Sequence, residues 1–318
     1  MPLPSPRPFD ALGGVPGAHL GLQWSGIVPA DTDSIVALAR RCEDIDAVRV
    51  RVPRVVLERV LTGNPADSVS MVGRDRGGVP RACASGRLAP GGGAAAVRAL
   101  IDPTWRGRGV GRAVLAWQDR WARHFLEGST PSTVAVPIAA SLIDRRRLST
   151  AAGFSCQARI ELYSRDLAEV PPARSVPGWT VRPLAPTDAA DLQDRGGPDR
   201  HAFVAAAMSR AELLETCDPG LSHVAEHDGV ARAAVLVHLS VDTEDRPLGW
   251  IRGLIAGPGF EDVQRELLGA VLRSMRAAGV RHAHAYATPA ASAHWRDVLL
   301  GLEFVPVDVE LLYSIEQP

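Results

Sequence analysis

The sequence predicts a mixed α/β fold that occurs twice along the chain. At 318 residues, the chain is long enough for two packed domains. Strand-like runs alternate with helix-like runs, which is typical of a mixed sheet covered by helices. Segments of the first half also recur, in the same order, in the second half. Together these observations predict a tandem duplication of one α/β fold.

The beginnings of the two copies match. The segment LQWSGIVPADTDSIVAL, which starts at Leu22, resembles PGWTVRPLAPTDAADL, which starts at Pro177. In each segment a tryptophan, Trp24 or Trp179, is followed eight residues later by a Thr-Asp pair. Each segment predicts a short strand, a turn and then a helix that begins near that pair.

The ends of the two copies match as well. The segment ARIELYSRDL (158–167) resembles VDVELLYSIEQ (307–317), which places Tyr163 and Tyr313 150 residues apart. The proline-rich stretch between the copies predicts a linker. The predicted organisation is a disordered tail over 1–20, a first domain over 21–167, a linker over 168–178 and a second domain over 179–318.

Within the first copy, turn signals separate three predicted strands, over 68–75, 79–88 and 94–102. A helix follows, because apolar residues recur every three or four positions from Val110 onwards. The positions on this predicted buried face are Val110, Val114, Trp117, Trp121 and Phe125. A strand over 133–141, a helix over 142–152 and a closing strand from Gln157 complete the copy.

The composition excludes several classes of site. All 35 basic residues are arginines, so a Walker phosphate loop or a lysine Schiff base is excluded. The four cysteines, Cys42, Cys83, Cys156 and Cys217, are scattered without metal-ligand spacing, so no metal site is expected. The chain starts without a signal-peptide pattern and has no apolar run of about 18 residues, so we expect a cytoplasmic protein without a membrane partner.

The charge is distributed unevenly along the chain. Residues 1–170 contain 22 arginines and 16 acidic residues, whereas residues 171–318 contain 13 arginines and 20 acidic residues. The first half is therefore favoured as the host of an anionic ligand.

The stretch IDPTWRGRGVGRAVLAW (101–117) predicts where that ligand binds. A strand, the loop RGRGVG and the start of a helix expose backbone N–H groups at the positive end of the helix dipole. Glycines let the backbone approach an oxygen closely, so a pyrophosphate fits. The dinucleotide fingerprint GxGxxG is not met, because the third glycine arrives one residue early. Arginine-glycine elements that bind RNA are repeated and disordered, unlike this loop, so no nucleic-acid partner is expected.

The pattern Arg106-x-x-Gly109-x-Gly111, with Ile101-x-Pro103 before it and an apolar helix after it, resembles the acyl-CoA signature of the GNAT N-acetyltransferase superfamily. AAGF (151–154) resembles the second motif of that family. The resemblance implies a tandem GNAT protein whose first domain is catalytic, with acetyl-CoA as co-substrate. The resemblance also implies that the amides of the loop bind the pyrophosphate of CoA and that the edge of the preceding strand pairs with the pantetheine arm. The implied CoA-binding residues are Leu100, Ile101, Asp102, Arg106, Gly107, Arg108, Gly109, Val110, Gly111, Arg112 and Ala113.

In the second copy, GFEDVQ (259–264) aligns with RGRGVG, when the two apolar helices are superposed. Glu261 and Asp262 then occupy positions where a pyrophosphate would dock. Like charges about 4 Å apart repel by about 4 kcal/mol at an effective dielectric near 20. We therefore expect a degenerate second domain that does not bind CoA in this way.

The resemblance implies that an amine, on a small molecule or at a peptide N-terminus, attacks the thioester directly. The tyrosine that usually serves as acid in the family is replaced here by Ser149. Three alternatives follow: Ser149 orients a water, Tyr163 of the closing strand substitutes, or the thiolate leaves without an acid.

The segment RRCEDIDAVR (40–49) lies between the predicted first helices, where the family builds its substrate wall. Glu43, Asp44 and Asp46 could contact a cationic amine there, or they could form a solvated acidic turn. The rival function is a non-catalytic CoA or acyl-CoA sensor, because the family tyrosine is missing. An oligomeric assembly is compatible with the sequence.

Overall fold

The computed structural model describes residues 14–17, 20–48, 51–52, 54–64, 66–89, 92–128, 132–193, 210–241, 246–255, 260–287 and 293–317. Most of the predicted tail, and Gly259 of the second copy, lie outside these residues. The chain forms two compact units. Unit 1 comprises Met1–Gln157 with Leu311–Pro318, and unit 2 comprises Ala158–Glu310.

From β2 onwards, unit 1 has the strands and helices that the sequence predicts, and where an end was predicted it agrees to within two residues. The elements of unit 1 are β1 (Gln23–Gly26), α1 (Thr32–Ile45), α2 (Arg54–Leu61), β2 (Ser68–Arg74), β3 (Pro80–Leu88), β4 (Ala94–Ile101), α3 (Val110–Leu126), β5 (Ser132–Ala139) and α4 (Ile143–Ala151), followed by β6 (Ser155–Asp166). The sheet runs in the order β1-β2-β3-β4-β5. The pairs are antiparallel as far as β4, and β4 pairs with β5 in parallel.

Unit 2 repeats this plan. Its elements are β7 (Thr180–Pro183), α5 (Asp188–Gln193), α6 (Arg210–Thr216), β8 (His223–His227), β9 (Val230–Val241), β10 (Pro247–Ile255), α7 (Glu261–Ala277), β11 (His282–Ala287) and α8 (Ala293–Gly301). The sheet runs β7-β8-β9-β10-β11-β6, and it is antiparallel except for the β10–β11 pair. The shared order and the shared position of the parallel pair agree with the predicted duplication.

The two units exchange their closing strands. From Ala158 onwards β6 belongs to unit 2, where Tyr163 pairs with Ala285 of β11. The last strand, β12 (Val305–Gln317), belongs to unit 1 from Leu311 onwards and lies next to β5. Each sheet is thus completed by the strand that closes the other copy in sequence, whereas the repeat predicted contiguous domains over 21–167 and 179–318.

The core of unit 1 forms where α3 packs on the sheet. Val110, Val114, Trp117 and Trp121 are buried on the predicted face, and Phe125 is half-buried. Gly86 of β3 makes this packing possible, because a Cβ atom there would lie 2.5 Å from the Trp121 ring. The α3 helix therefore lies directly on the strands that lead into the predicted loop.

Helix α1 extends further than the sequence analysis predicted. Residues 40–45 were expected between the first helices, but α1 continues to Ile45. Its buried face, formed by Ile35, Leu38, Ala39 and Cys42, keeps helical spacing through this segment. Burial of that face overrides the polar appearance of the segment, so Glu43 and Asp44 lie in the helix, whereas Asp46 lies in the turn that follows it.

Candidate functional site

The predicted loop connects β4 to α3 and has the backbone that its glycines predict. A short 3-10 helix, Pro103–Trp105, follows β4, and α3 then begins at Val110. Gly107 and Gly109 adopt left-handed backbone angles, with φ of +74° and +85°. A side chain is strained in this conformation, so these glycines allow the sharp entry into α3.

The start of α3 exposes unpaired donors. Gly109 is its N-cap and offers no side-chain cap, and the first intrahelical bond runs from Ala113 N–H to the Gly109 carbonyl. The amides of Val110, Gly111 and Arg112 therefore precede the hydrogen-bonding ladder of the helix. They lie at the positive end of the helix dipole, next to an exposed loop, and this arrangement suits an anion.

Asp102 anchors the loop to the sheet. Its carboxylate is 1% exposed and accepts hydrogen bonds from Thr104 N–H and Oγ1–H, Arg41 Nε–H and Arg81 Nη1–H. Burial alone would raise the pKa of Asp102, but the hydrogen bonds from Thr104, Arg81 and Arg41 outweigh it and lower the pKa to about 2. The Asp102 N–H also donates to the Arg81 carbonyl at 2.8 Å. This predicted CoA-binding residue therefore uses both its carboxylate and its amide within the fold.

Strands β4 and β5 diverge beside the loop. Ala94–Ala96 of β4 pair with Thr133–Ala135 of β5. Within these two described strands, the parallel pairing does not continue beyond Ala96 and Ala135. The backbone groups of Asp102 and Ala94 form hydrogen bonds on the β3 side of β4. Because these groups alternate in direction along a strand, those of the other even-numbered residues, such as Leu100, also face β3. The odd-numbered residues Val97, Ala99 and Ile101 direct their backbone groups into the gap. Of the predicted strand edge, Ile101 is the residue that faces the gap.

Arg106 is held in place by its neighbours. Its guanidinium donates to both carboxylate oxygens of Asp46, at 2.5 and 3.1 Å, and its Nε–H donates to the Ile101 carbonyl at 3.2 Å. Arg145 of α4 donates to the same Asp46 carboxylate at 2.9 Å. Two guanidiniums thus share one carboxylate, which leaves one net positive charge beside the loop.

Two further loop arginines differ in their surroundings. The Arg108 guanidinium lies 5.0 Å from the centroid of the Trp105 ring, a cation–π contact that orients an exposed side chain. Arg112 is exposed on the first turn of α3. Gly111 lies close to α4, since a Cβ atom there would be 3.2 Å from Leu148 Cδ2.

The three carboxylates predicted to meet an amine are all paired with arginines. Glu43 accepts from Arg40 and from Val52 N–H, Asp44 accepts from Arg51, and Asp46 accepts from Arg106 and Arg145. Each pairing satisfies the carboxylate within unit 1. The sequence indicated their charge, but it did not reveal partners that are up to 99 residues away.

The two predicted acids lie in different units. Ser149 is buried on α4 of unit 1, the unit that contains the loop. Tyr163 lies in the core of unit 2, where its hydroxyl donates to Glu161 at 2.7 Å and accepts from Arg296 at 3.0 Å. Burial and the hydrogen bond to Glu161 raise the pKa of Tyr163. Both effects make this hydroxyl a poorer proton donor.

In unit 1, strand β12 places Tyr313 at the position that the sequence analysis gave to Tyr163. Tyr313 is buried among core residues of α3 and β5, and its hydroxyl lies 3.4 Å from Arg146 Nε of α4. The sequence analysis did not select Tyr313 as a site residue, although its match to Tyr163 was visible. The two strands are similar enough that the sequence alone could not show which sheet each one joins.

The corresponding junction of unit 2 is built differently. Helix α7 begins at Glu261, so the two acidic residues form its first two positions. Buried Val263, Leu267 and Leu268 match Val110, Val114 and Leu115 of α3, which supports the predicted alignment. Under this alignment, α7 starts two residues earlier than α3, and the equivalents of Gly109 and Gly111, Asp262 and Gln264, lie inside the helix.

No group of three or more histidine, cysteine or acidic residues is arranged to hold a metal ion in the described part of the chain. Among the described helices, none is both long enough and apolar enough to cross a membrane.

Comparison with known proteins identifies the fold. No family model and no curated protein matches the sequence. Among solved structures, a GCN5-related N-acetyltransferase from Sphaerobacter thermophilus is 18% identical, with a TM-score of 0.68 over 93% of this chain and 96% of that chain. A tandem GNAT protein from the clavulanic acid biosynthesis pathway is 16% identical, with a TM-score of 0.67 over 93% and 99% of the two chains.

Saccharomyces cerevisiae N-myristoyltransferase with bound myristoyl-CoA is 11% identical, with a TM-score of 0.61 over 93% of this chain and 78% of that chain. At these identities the likeness concerns the fold. The chain therefore has a mixed α/β GNAT fold in tandem, as the sequence analysis predicted.

Proposed function

We propose that the protein is an N-acetyltransferase that transfers the acetyl group of acetyl-CoA to a primary amine, on a small molecule or a peptide N-terminus. The observation that carries this proposal is the β4–α3 junction of unit 1. There, three amides precede the first intrahelical bond of α3, two glycines permit close approach, and β4 separates from β5.

Each part of the junction has a role in this proposal. The amides from Arg108 to Arg112 bind the pyrophosphate, because unpaired donors and the helix dipole both stabilise an anion. The Ala113 N–H is already used, since it donates to the Gly109 carbonyl. The net positive charge of the Arg106–Asp46–Arg145 cluster adds long-range attraction for the same group. The backbone groups of Ala99 and the N–H of Ile101, which face the gap, pair with the pantetheine arm. The Ile101 carbonyl is already used, since it accepts from Arg106 and from the Cys42 thiol.

The reaction requires no covalent enzyme intermediate. The neutral amine attacks the thioester carbonyl, a backbone N–H of β4 stabilises the oxyanion, and the CoA thiolate leaves. The proton lost by the amine passes to solvent, since Glu43, Asp44 and Asp46 are engaged by arginines. Of the two predicted acids, Ser149 is retained as the group that orients a water towards the thiolate, because it belongs to unit 1.

Isothermal titration with acetyl-CoA tests the loop. In a Gly109→Glu, Gly111→Glu double variant we expect affinity to fall at least about a hundredfold, because two carboxylates would repel the pyrophosphate. Ala116→Glu is the matched control, since it places a carboxylate on the exposed face of the same helix. Equal affinities in the double variant and in the wild type would falsify the loop assignment.

A second candidate function is a non-catalytic CoA or acyl-CoA sensor. It is favoured by the paired state of all three predicted carboxylates, which leaves none of them free to act as a base. The two functions differ in turnover. An acetyltransferase releases CoA thiol from acetyl-CoA when a suitable amine in a panel is added, whereas a sensor binds tightly and releases thiol with none of them. Parallel assays with acetyl-CoA and myristoyl-CoA test the preference for the acetyl group.

A further inference from the structure

Unit 2 contains a cavity that the proposed transferase does not use. Its volume is about 480 Å³, within the range of small-molecule sites. The proline-rich segment after β6, strands β7 and β8, and the part of α7 from Glu266 to Ser274 surround it. The residues on which the argument depends are Arg174, Trp179, His223, Glu266, Arg273 and Ser274.

The cavity carries a net positive charge. The Glu266 carboxylate accepts from Arg174 N–H at 2.9 Å and from Arg273 at 2.5 Å, and Arg273 also donates to the Pro171 carbonyl at 3.1 Å. These bonds neutralise Arg273 and fix the proline-rich segment against α7. The Arg174 side chain is exposed and has no ion-pair partner among the described residues, so its charge remains available.

One wall of the cavity is apolar and rigid. Trp179 is half-buried there, with Val176, Val181 and Ala270 around it. The indole packs against Phe260 at 5.2 Å and His227 at 4.9 Å between ring centroids, which restricts its rotation. A fixed indole is a suitable surface for a flat apolar group.

His223 and Ser274 provide a neutral polar group. His223 Nδ1 lies 3.2 Å from the Leu221 carbonyl, and because a carbonyl only accepts, Nδ1 carries the hydrogen. His223 Nε2 is then an acceptor and receives the Ser274 hydroxyl at 3.3 Å. Burial, reinforced by the charge of Arg273, lowers the pKa of His223, so the ring stays neutral near pH 7. The Ser274 oxygen retains lone pairs that can accept a hydrogen bond from a ligand.

We propose that this cavity binds a small organic carboxylate with a flat apolar body and a hydrogen-bond donor at its far end. The carboxylate pairs with Arg174, the apolar body lies against Trp179, and the donor bonds to Ser274. This binding function is separate from the proposed transfer reaction and does not depend on it.

Calorimetry with two isosteric probes, 4-hydroxyphenylacetate and 4-hydroxyphenylacetamide, tests the proposal. We expect the wild type to bind the acid about tenfold more tightly than the amide, as one charge-assisted hydrogen bond would produce. In Arg174→Gln, whose exposed side chain is not needed for folding, the two probes should bind equally. Arg276→Gln, on the exposed face of α7, should keep the preference.

Failure of both probes to bind the wild type would overturn the proposal. So would equal loss of the preference in Arg174→Gln and Arg276→Gln, because this would indicate non-specific attraction to positive charge. The Gly109→Glu, Gly111→Glu variant should bind the acid as the wild type does. Loss of binding there would place the probe in the unit 1 loop and also overturn the proposal.

Discussion

The starts of α3 and α7 differ in a few residues, although the two helices occupy corresponding places in the two units. Both helices have 17 residues and bury corresponding faces. In α3 the helix follows two left-handed glycines, whereas α7 begins two residues earlier under the packing alignment and opens with Glu261 and Asp262. Acidic residues in the first turn of a helix interact favourably with the positive end of the helix dipole. Under the proposed function, the start of α3 accepts a phosphate, whereas the start of α7 carries negative charge of its own.

The divergence of the parallel strands, in contrast, is common to both units. Pairing is limited to Ala94–Ala96 of β4 in unit 1 and to Leu248–Ile251 of β10 in unit 2. The gap is therefore common to both units, and the units differ in the loop sequence beside it.

Exchanging the loop sequences of the two units tests this comparison. Of the effects predicted in this comparison of the units, we expect its effect on acetyl-CoA affinity to be the largest. Replacing RGRGVG at 106–111 by GFEDVQ should weaken acetyl-CoA binding at least about a thousandfold, because it removes the glycines and adds two carboxylates. The reciprocal replacement at 259–264 is the control for the effect of grafting. The site in unit 1 should keep its dissociation constant, and a second acetyl-CoA should bind in unit 2 if the loop sequence is sufficient for binding. Both variants are titrated with acetyl-CoA. Binding that is lost on replacement at 259–264, but kept on replacement at 106–111, would contradict the comparison.

The loop could be predicted from the sequence because its information is local. Gly107 and Gly109 allow the left-handed backbone, and the spacing after Val110 defines the buried face of α3. The closing strands could not be assigned in the same way. ARIELYSRDL and VDVELLYSIEQ have similar patterns, so either strand can complete either sheet, and local reasoning placed Tyr163 where the structure has Tyr313.

The ion pairs were missed for a related reason. The acidic residues of α1 were recognisable by charge, but Arg106 and Arg145 approach Asp46 from distant parts of the chain. A pattern of charges does not show which carboxylates remain free. In the structure each of the three carboxylates, Glu43, Asp44 and Asp46, accepts from at least one arginine, and that of Asp46 holds Arg106 of the loop.

Replacing one buried glycine in each unit by alanine compares how well the two cores tolerate an added methyl group. A Cβ atom at Gly86 would lie 2.5 Å from the Trp121 ring, and one at Gly249 would lie 2.5 Å from Met275 Sδ. The indole is rigid and buried, whereas a thioether chain can change rotamer. We expect Gly86→Ala to lower the free energy of unfolding by about 3 kcal/mol and Gly249→Ala by about 1 kcal/mol. Urea denaturation measures both values, and equal losses would show that Met275 is as rigidly held as Trp121.

A smaller effect than that of Gly86→Ala should appear in the acid stability of unit 1. Asp102 has a pKa of about 2 in the folded protein and about 3.9 when unfolded. The unfolded chain therefore takes up the proton first as the pH falls. The stabilising effect of Asp102 is complete above about pH 4 and is lost as the pH falls towards 2, with a total of about 2 kcal/mol.

Asp102→Asn should remove this part of the pH dependence, because an amide does not titrate. Asp144→Asn, at an acidic residue in the first turn of α4, is the control and should leave the slope unchanged. Urea midpoints measured between pH 5 and pH 2 give the comparison. If the Asp102 variant kept the slope of the wild type, other carboxylates would account for the acid sensitivity, and the strand-to-helix junction of unit 1 would not depend on the charge of Asp102.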